Sequence, residues 1–201
     1  MKVAAIILAA GRGSRFGTEP KLLATLSGKP LIRHVAEAAL ASSAQPVIVV
    51  SGHHADEVER AIGDLDVIVV RNANFAEGLS TSLRAGFAAL PGDVAAAVIL
   101  LGDMPLVSGL LVDRIIAAWR SHACPMALVP IAGGRRANPV LLSRALSLEI
   151  EALTGDVGAA PLLRNRTGVV EWPVDEESVL SDIDTKESLS LLDRETGQDR
   201  K

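Results

Sequence analysis

Val3-Ala4-Ala5-Ile6-Ile7-Leu8-Ala9-Ala10-Gly11-Arg12-Gly13-Ser14-Arg15-Phe16-Gly17 is an apolar run that stops abruptly at a loop of glycines and arginines. Behind Lys2 the run has the look of a leader, but it is too short for an apolar leader core or a membrane span. It reads better as a strand buried on both faces, as strands inside a parallel sheet are. Runs of the same Val- and Ile-rich kind recur at 47–50, 67–70 and 94–101. Amphipathic segments lie between them. Lys29-Pro30 places a proline at a helix start, after which Leu31, Val35 and Ala38 share a face. Ala55, Val58 and Ile62 form a second stripe, with Asp56, Glu57, Glu59 and Arg60 turned to water. A third helix is predicted from Ser108, burying Leu111, Ile115 and Trp119.

This alternation predicts a three-layer α/β/α, Rossmann-like fold around a mostly parallel sheet. Past Met126 the spacing loosens, with strands expected near 127–129, 139–142 and 169–172, one of them antiparallel. Neither an internal repeat nor a linker divides the chain, so a single domain is expected over 1–192, followed by a frayed polar tail at 193–201.

Composition narrows the function. A chain of 201 residues with 49% hydrophobic residues is large enough to bury a core and is not a disordered chain. The net charge of −4 supplies no field to hold DNA or RNA, and 2% aromatics leave few platforms for stacking bases, so no nucleic-acid partner is expected. No stretch reaches membrane-spanning length. The single cysteine, Cys124, rules out an internal disulfide and fits a reducing, cytoplasmic setting. An anionic ligand must then be met by a few placed cations, backbone N–H groups or a metal.

In open α/β sheets ligands sit beyond the carboxyl ends of the strands. The loop after the first run, with Lys21-Leu22-Leu23 following it, has glycines that let backbone N–H groups approach phosphate oxygens, and Arg12, Arg15 and Lys21 add charge. A tight strand-to-helix turn can need the same glycines for structure alone. Two familiar phosphate loops fail here. Phe16 stands where a Walker loop needs its second glycine, and where the dinucleotide fingerprint needs its third. The run at 47–50 ends in Ser51-Gly52-His53 rather than in an acidic residue for an NAD ribose, which leaves an NADP oxidoreductase as a distant alternative.

The fourth run ends Gly102-Asp103-Met104-Pro105, which suits Asp103 to Mg²⁺ binding or to capping the next helix. Asp182 and Asp184 lie two apart, so in an extended segment both face one side. Either could complete a metal site or cap the helix that follows. Ser80, Thr81 and Ser82 open another helix, and could recognise a base or ribose or simply form the helix start. His53-His54 lacks metal-ligand spacing, and no nucleophile elbow or Cys/His dyad marks a hydrolase.

Leu8-Ala9-Ala10-Gly11-Arg12-x-Ser14-Arg15-Phe16-Gly17 followed by Lys21-Leu22-Leu23 resembles the signature loop of the sugar- and cofactor-nucleotidyltransferases. Gly78-Leu79-Ser80-Thr81-Ser82-Leu83, Gly102-Asp103-Met104-Pro105, Asn138-Pro139-Val140, Gly155-Asp156-Val157-Gly158 and Asp182-Ile183-Asp184-Thr185 follow in the order of the MobA-like branch. Within that branch the Ala9-Ala10-Gly11 form is similar to the molybdenum-cofactor cytidylyltransferases. The resemblance implies Mg²⁺-dependent transfer of CMP from CTP to the phosphate of molybdopterin, with release of pyrophosphate. It also implies Lys21 and Arg15 as catalytic phosphate ligands and Asp103 and Asp184 as metal ligands. The nucleotide would be held by Leu8, Ala9, Ala10, Gly11, Arg12, Gly13, Ser14, Lys21, Ser80 and Ser82. GTP or another phosphate acceptor is the nearest rival reading, and a carrier that hands the cofactor to a molybdoenzyme or its maturation factor is a non-enzymatic one. Two positions depart from the pattern: Ala160 where the family commonly has Arg, and Lys186 where it has Pro.

Overall fold

The computed structural model describes residues 1–201 apart from Ser14, Arg15, Thr18, Ser181 and 199–201. In chain order the strands are β1 (Lys2–Ala9), β2 (Thr25–Leu26), β3 (Lys29–Pro30), β4 (Val47–Ser51), β5 (Ile68–Arg71), β6 (Val94–Leu101), β7 (Ala127–Ala132), β8 (Arg135–Arg136), β9 (Val140–Ser143) and β10 (Val169–Pro173). The α-helices are α1 (Leu31–Leu40), α2 (Ala55–Ile62), α3 (Leu79–Ala88), α4 (Gly109–Ser121), α5 (Ser147–Glu151), α6 (Ala160–Leu163) and α7 (Lys186–Gln198).

The main sheet runs β10-β7-β9-β6-β1-β4-β5, with β8 paired to β7. β1 pairs in parallel with β4 and β6, and β10 with β7, while β9 lies antiparallel between β6 and β7. The sheet is therefore mixed and mostly parallel, with the antiparallel strand in the half where the spacing loosens. Burial on both faces makes β1 the spine. Val3, Ala5, Ile7 and Ala9 pack with α1, α2 and α4 on one side, and Ala4, Ile6 and Leu8 with α3, α5 and α6 on the other. Ser108 caps α4 by accepting from Leu111 N at 3.1 Å, and Leu111, Ile115 and Trp119 are buried as the stripe requires.

Three expectations are corrected. The run at 67–70 becomes the edge strand β5, with Ile68 and Val69 45% and 39% exposed, because a β-rich apolar pattern does not distinguish an edge from an interior strand. On α1 the buried set is Leu31, Ile32, Val35, Ala36 and Ala39, with Ala38 only half-buried. The tail boundary at 193 falls inside α7, which continues to Gln198. Asp193 is tied down there by accepting from Ser27 N at 2.7 Å, and Leu189 and Leu192 pack against Phe16, Leu26, Leu31 and Ile183. No helix among the described residues is long and apolar enough to cross a membrane.

Candidate active site

The carboxyl ends of β1 and β6 open into a cavity of about 570 Å³. Its floor is the start of the glycine loop, Ala10, Gly11, Arg12 and Gly13, and its walls include Phe75–Leu79 and Ser82 on one side and Gly102 and Asp103 on the other. Gly102 N donates to Leu8 O at 3.0 Å, which fixes the β6 loop against the end of β1.

Lys21 rises from a short 3-10 turn over residues Lys21–Leu23. Its Nζ donates to Asp103 Oδ2 at 2.6 Å and to Asp184 Oδ1 at 2.8 Å, and its side chain is only 9% exposed. Gly13 makes this position possible, since its φ is +59° and a Cβ there would lie 2.8 Å from Lys21 Cβ. Burial alone would lower the pKa of Lys21. The charges and hydrogen bonds of Asp103 and Asp184 outweigh it and hold the ammonium above its ordinary value.

Asp184 arrives from the far end of the chain. Ile183 N donates to Asp103 O at 3.0 Å, pinning the segment to the β6 loop. Thr185 and Ser188 exchange backbone-to-hydroxyl bonds of 3.2 and 3.1 Å, a reciprocal cap for α7. The cap is therefore Thr185. Asp182 is exposed, whereas Asp184 turns to Lys21. The other oxygen of Asp103, Oδ1, is buried and has no hydrogen-bond partner among the described residues. A carboxylate pair with one orphaned oxygen suits a hard divalent cation. No group of three or more His, Cys, Asp or Glu is present among the described residues to cage one, so phosphate oxygens and waters would complete its shell, as is usual for Mg²⁺.

The opposite wall is the start of α3. Gly78 has φ +112°, and the orphan N–H groups of the helix are capped from outside. Leu79 N donates to Asp156 Oδ1 at 3.1 Å and Ser80 N to Gly155 O at 3.3 Å. The helix start is thus capped by a distant loop rather than by its own hydroxyls. Thr81 and Ser82 are instead held by Asn72, whose Nδ2 donates to Thr81 Oγ1 at 2.7 Å and to Ser82 Oγ at 3.1 Å. Asn74 N donates to Asn72 Oδ1 at 3.0 Å, which fixes the orientation of that amide.

Of the residues singled out in the sequence, Leu8, Ala10, Gly11, Arg12, Gly13, Lys21, Ser82, Asp103 and Asp184 line one cavity. Ala9 and Ser80 do not. The Ala9 side chain points into the α1 side of the core, and Ser80 is fully buried, its Oγ without a partner among the described residues. Ser14 and Arg15 lie outside the described residues. Phe75, Glu77, Gly78 and Asp156 line the cavity without having been assigned to it. Asn72 stands directly beyond β5, where the search of loops after strands would have reached it. His53 flanks the loop, its N donating to Ala10 O at 3.2 Å and its ring 5.7 Å from Phe75. Burial, then His54 and Arg12, hold its pKa below the usual histidine value.

Residues 5–170 match the MobA-like NTP transferase domain. Nicotine blue oxidoreductase of Paenarthrobacter nicotinovorans is 30% identical over 196 residues, covering 94% of this chain and 96% of that protein. The bifunctional protein GlmU of Kineococcus radiotolerans is 34% identical over 169 residues, which is 83% of this chain. The chain spans only about 30% of that relative's length. Among solved structures, a nucleotidyl transferase from Methanothermobacter thermautotroptrophicus superposes with a TM-score of 0.83 at 29% identity, over 98% of both chains.

Proposed function

This chain belongs to the MobA-like NTP transferase family, and we propose that it transfers CMP from CTP to the terminal phosphate of molybdopterin, with Mg²⁺. The observation that carries this reading is Lys21 Nζ held between Asp103 and Asp184 in the lining of the glycine-loop cavity. In the proposed step an oxygen of the acceptor phosphate attacks the α-phosphorus, the bond to the β-phosphate breaks, and pyrophosphate leaves. Such a step needs alignment and charge neutralisation, not a nucleophilic side chain.

Lys21, Arg12 and the N–H groups of the Gly11–Gly13 turn would hold the triphosphate. Arg15 joins them by its place in the loop sequence. Asp103 and Asp184 would hold the metal, which when bound supplies Lewis-acid stabilisation of the charge on the phosphates. The base would lie between the Leu8–Ala10 backbone and Ser82. That hydroxyl already accepts from Asn72, so its own hydrogen is left to donate to a base acceptor such as cytosine O2.

The test is pyrophosphate release with each NTP and Mg²⁺, with and without molybdenum cofactor. CTP- and acceptor-dependent release is expected. Preference for GTP, or release indifferent to the acceptor, would overturn the proposed substrates. The relative of nearly equal length that is named an oxidoreductase favours a second reading. A parallel arm therefore follows NAD(P)H oxidation, and turnover there with no NTP chemistry would replace the transferase reading.

A further inference from the structure

Lys21 occupies the one place where the two candidate metal-binding carboxylates converge. Its Nζ lies within 2.6 Å of Asp103 Oδ2 and 2.8 Å of Asp184 Oδ1, so each carboxylate offers the ammonium an oxygen that a divalent ion would also need. The side chain does not swing freely in solvent. It is 9% exposed and its stem lies against Gly13, where even one added carbon would collide with it. Two carboxylates with no cation between them would repel at this range, and burial makes that repulsion costly. Among the described residues the cavity lining is acidic, with Arg12 and Lys21 against Glu77, Asp103, Asp156 and Asp184.

We propose that Lys21 is the resident counter-cation of the Asp103–Asp184 pair, and that it makes the site select a divalent ion accompanied by a triphosphate over the free ion. The inference rests on the reading of those carboxylates as metal ligands. An incoming free ion meets an ammonium already in place, and displacing it strands a cation in a partly buried position. A triphosphate removes that penalty, because it offers Lys21 a new anionic partner on the same cavity floor. Metal and nucleotide binding are then positively coupled through one side chain, and the coupling is reciprocal.

The experiment measures Mn²⁺ binding to the full chain, without nucleotide and with CTP, by the enhancement of water-proton relaxation, which separates protein-bound Mn²⁺ from Mn²⁺ chelated by free CTP. Wild type is expected to bind Mn²⁺ weakly alone and more tightly with CTP. Lys21→Met is expected to bind Mn²⁺ alone about tenfold or more tightly than wild type, since one positive charge has left the site. The same variant should bind CTP more weakly, so the two affinities move in opposite directions. Lys21→Arg keeps the charge and should keep the weak metal-alone affinity. Adding Asp103→Asn to Lys21→Met should abolish the gain, which places it at this pair. If Lys21→Met folds poorly, Lys21→Gln takes its place, with the rise in melting temperature on adding Mn²⁺ as the readout. Unchanged or weaker Mn²⁺ binding without Lys21 overturns the proposal while leaving the metal site standing. Failure of wild type to bind Mn²⁺ even with CTP overturns both.

Discussion

The two oxygens of Asp103 are in unlike circumstances: Oδ2 is bonded to Lys21, while Oδ1 is buried without a partner among the described residues. A buried, unsatisfied carboxylate oxygen is unfavourable on its own, which points to a cation in the working state. Asp103→Ala is therefore expected to cut pyrophosphate release about 100-fold or more, the scale for losing a group that neutralises transition-state charge. Asp182→Ala should stay near wild type, because Asp182 is exposed and Asp184 is the one that meets Lys21. Near-normal release from Asp103→Ala would end the metal assignment. Spacing alone left Asp182 and Asp184 equivalent. What separates them is the cap made by Thr185 and Ser188 and the anchor of Ile183 on Asp103, and neither contact is encoded in a two-residue spacing. Base choice also lies at this scale. Ala10 lines the cavity and is buried against Gly52, where an added Cβ would come within 2.7 Å of the Ala10 methyl. Removing that methyl in Ala10→Gly deepens the wall, and the kcat/KM ratio for GTP over CTP should rise. A shape effect of this kind is worth about 1–3 kcal/mol, so the shift should be partial. A ratio that is unchanged, or that falls, would move the base elsewhere in the cavity.

At the scale of elements, the strands and helices around β1 were legible because their periods are long and clean, and because β1 is buried on both faces. The α3 wall was not. Gly78-Leu79-Ser80-Thr81-Ser82 reads locally as a helix start capped by its own hydroxyls, yet its caps are Gly155 O and Asp156 Oδ1 from a loop far along the chain. Asn72 lies in a loop directly after a strand, but its role, aiming Thr81 and Ser82, depends on a contact between separate elements that no local pattern encodes. The join between α3 and that loop depends on Gly78, where a Cβ would sit 2.5 Å from Gly155 O and Asp156 N at a φ of +112°. Gly78→Ala is expected to destabilise the protein by about 1–3 kcal/mol through backbone strain. It should also raise the KM for nucleotide, because the wall carrying Ser82 must shift. Gly92→Ala is the control: nothing lies within 4 Å of its Cβ, and its stability should stay within about 0.5 kcal/mol of wild type. Equal melting points for the two variants would show that the α3 cap contributes nothing.

For the molecule as a whole, the question is how a chain of net charge −4 holds a polyanion. It has no broad positive field, and among the described residues its cavity carries more carboxylates than cations. Free CTP should therefore bind poorly, and a divalent ion should be a condition of binding as well as of turnover. Binding to the native state alone raises stability by about 2.7 kcal/mol at a ligand concentration of 100 Kd. For a domain of this size that corresponds to a rise in melting temperature of about 5–10 °C. The expected outcome is a shift of that order with CTP and Mg²⁺ together, and a much smaller one with CTP in EDTA. Mg²⁺ alone should also do little, because Lys21 already bridges the acidic pair. The comparison is sharpest between Lys21→Met and wild type, where Mg²⁺ alone should stabilise the variant more. A full shift with CTP in EDTA would show that the loop and its cations suffice for the triphosphate, and that the carboxylate pair serves some purpose other than holding the metal.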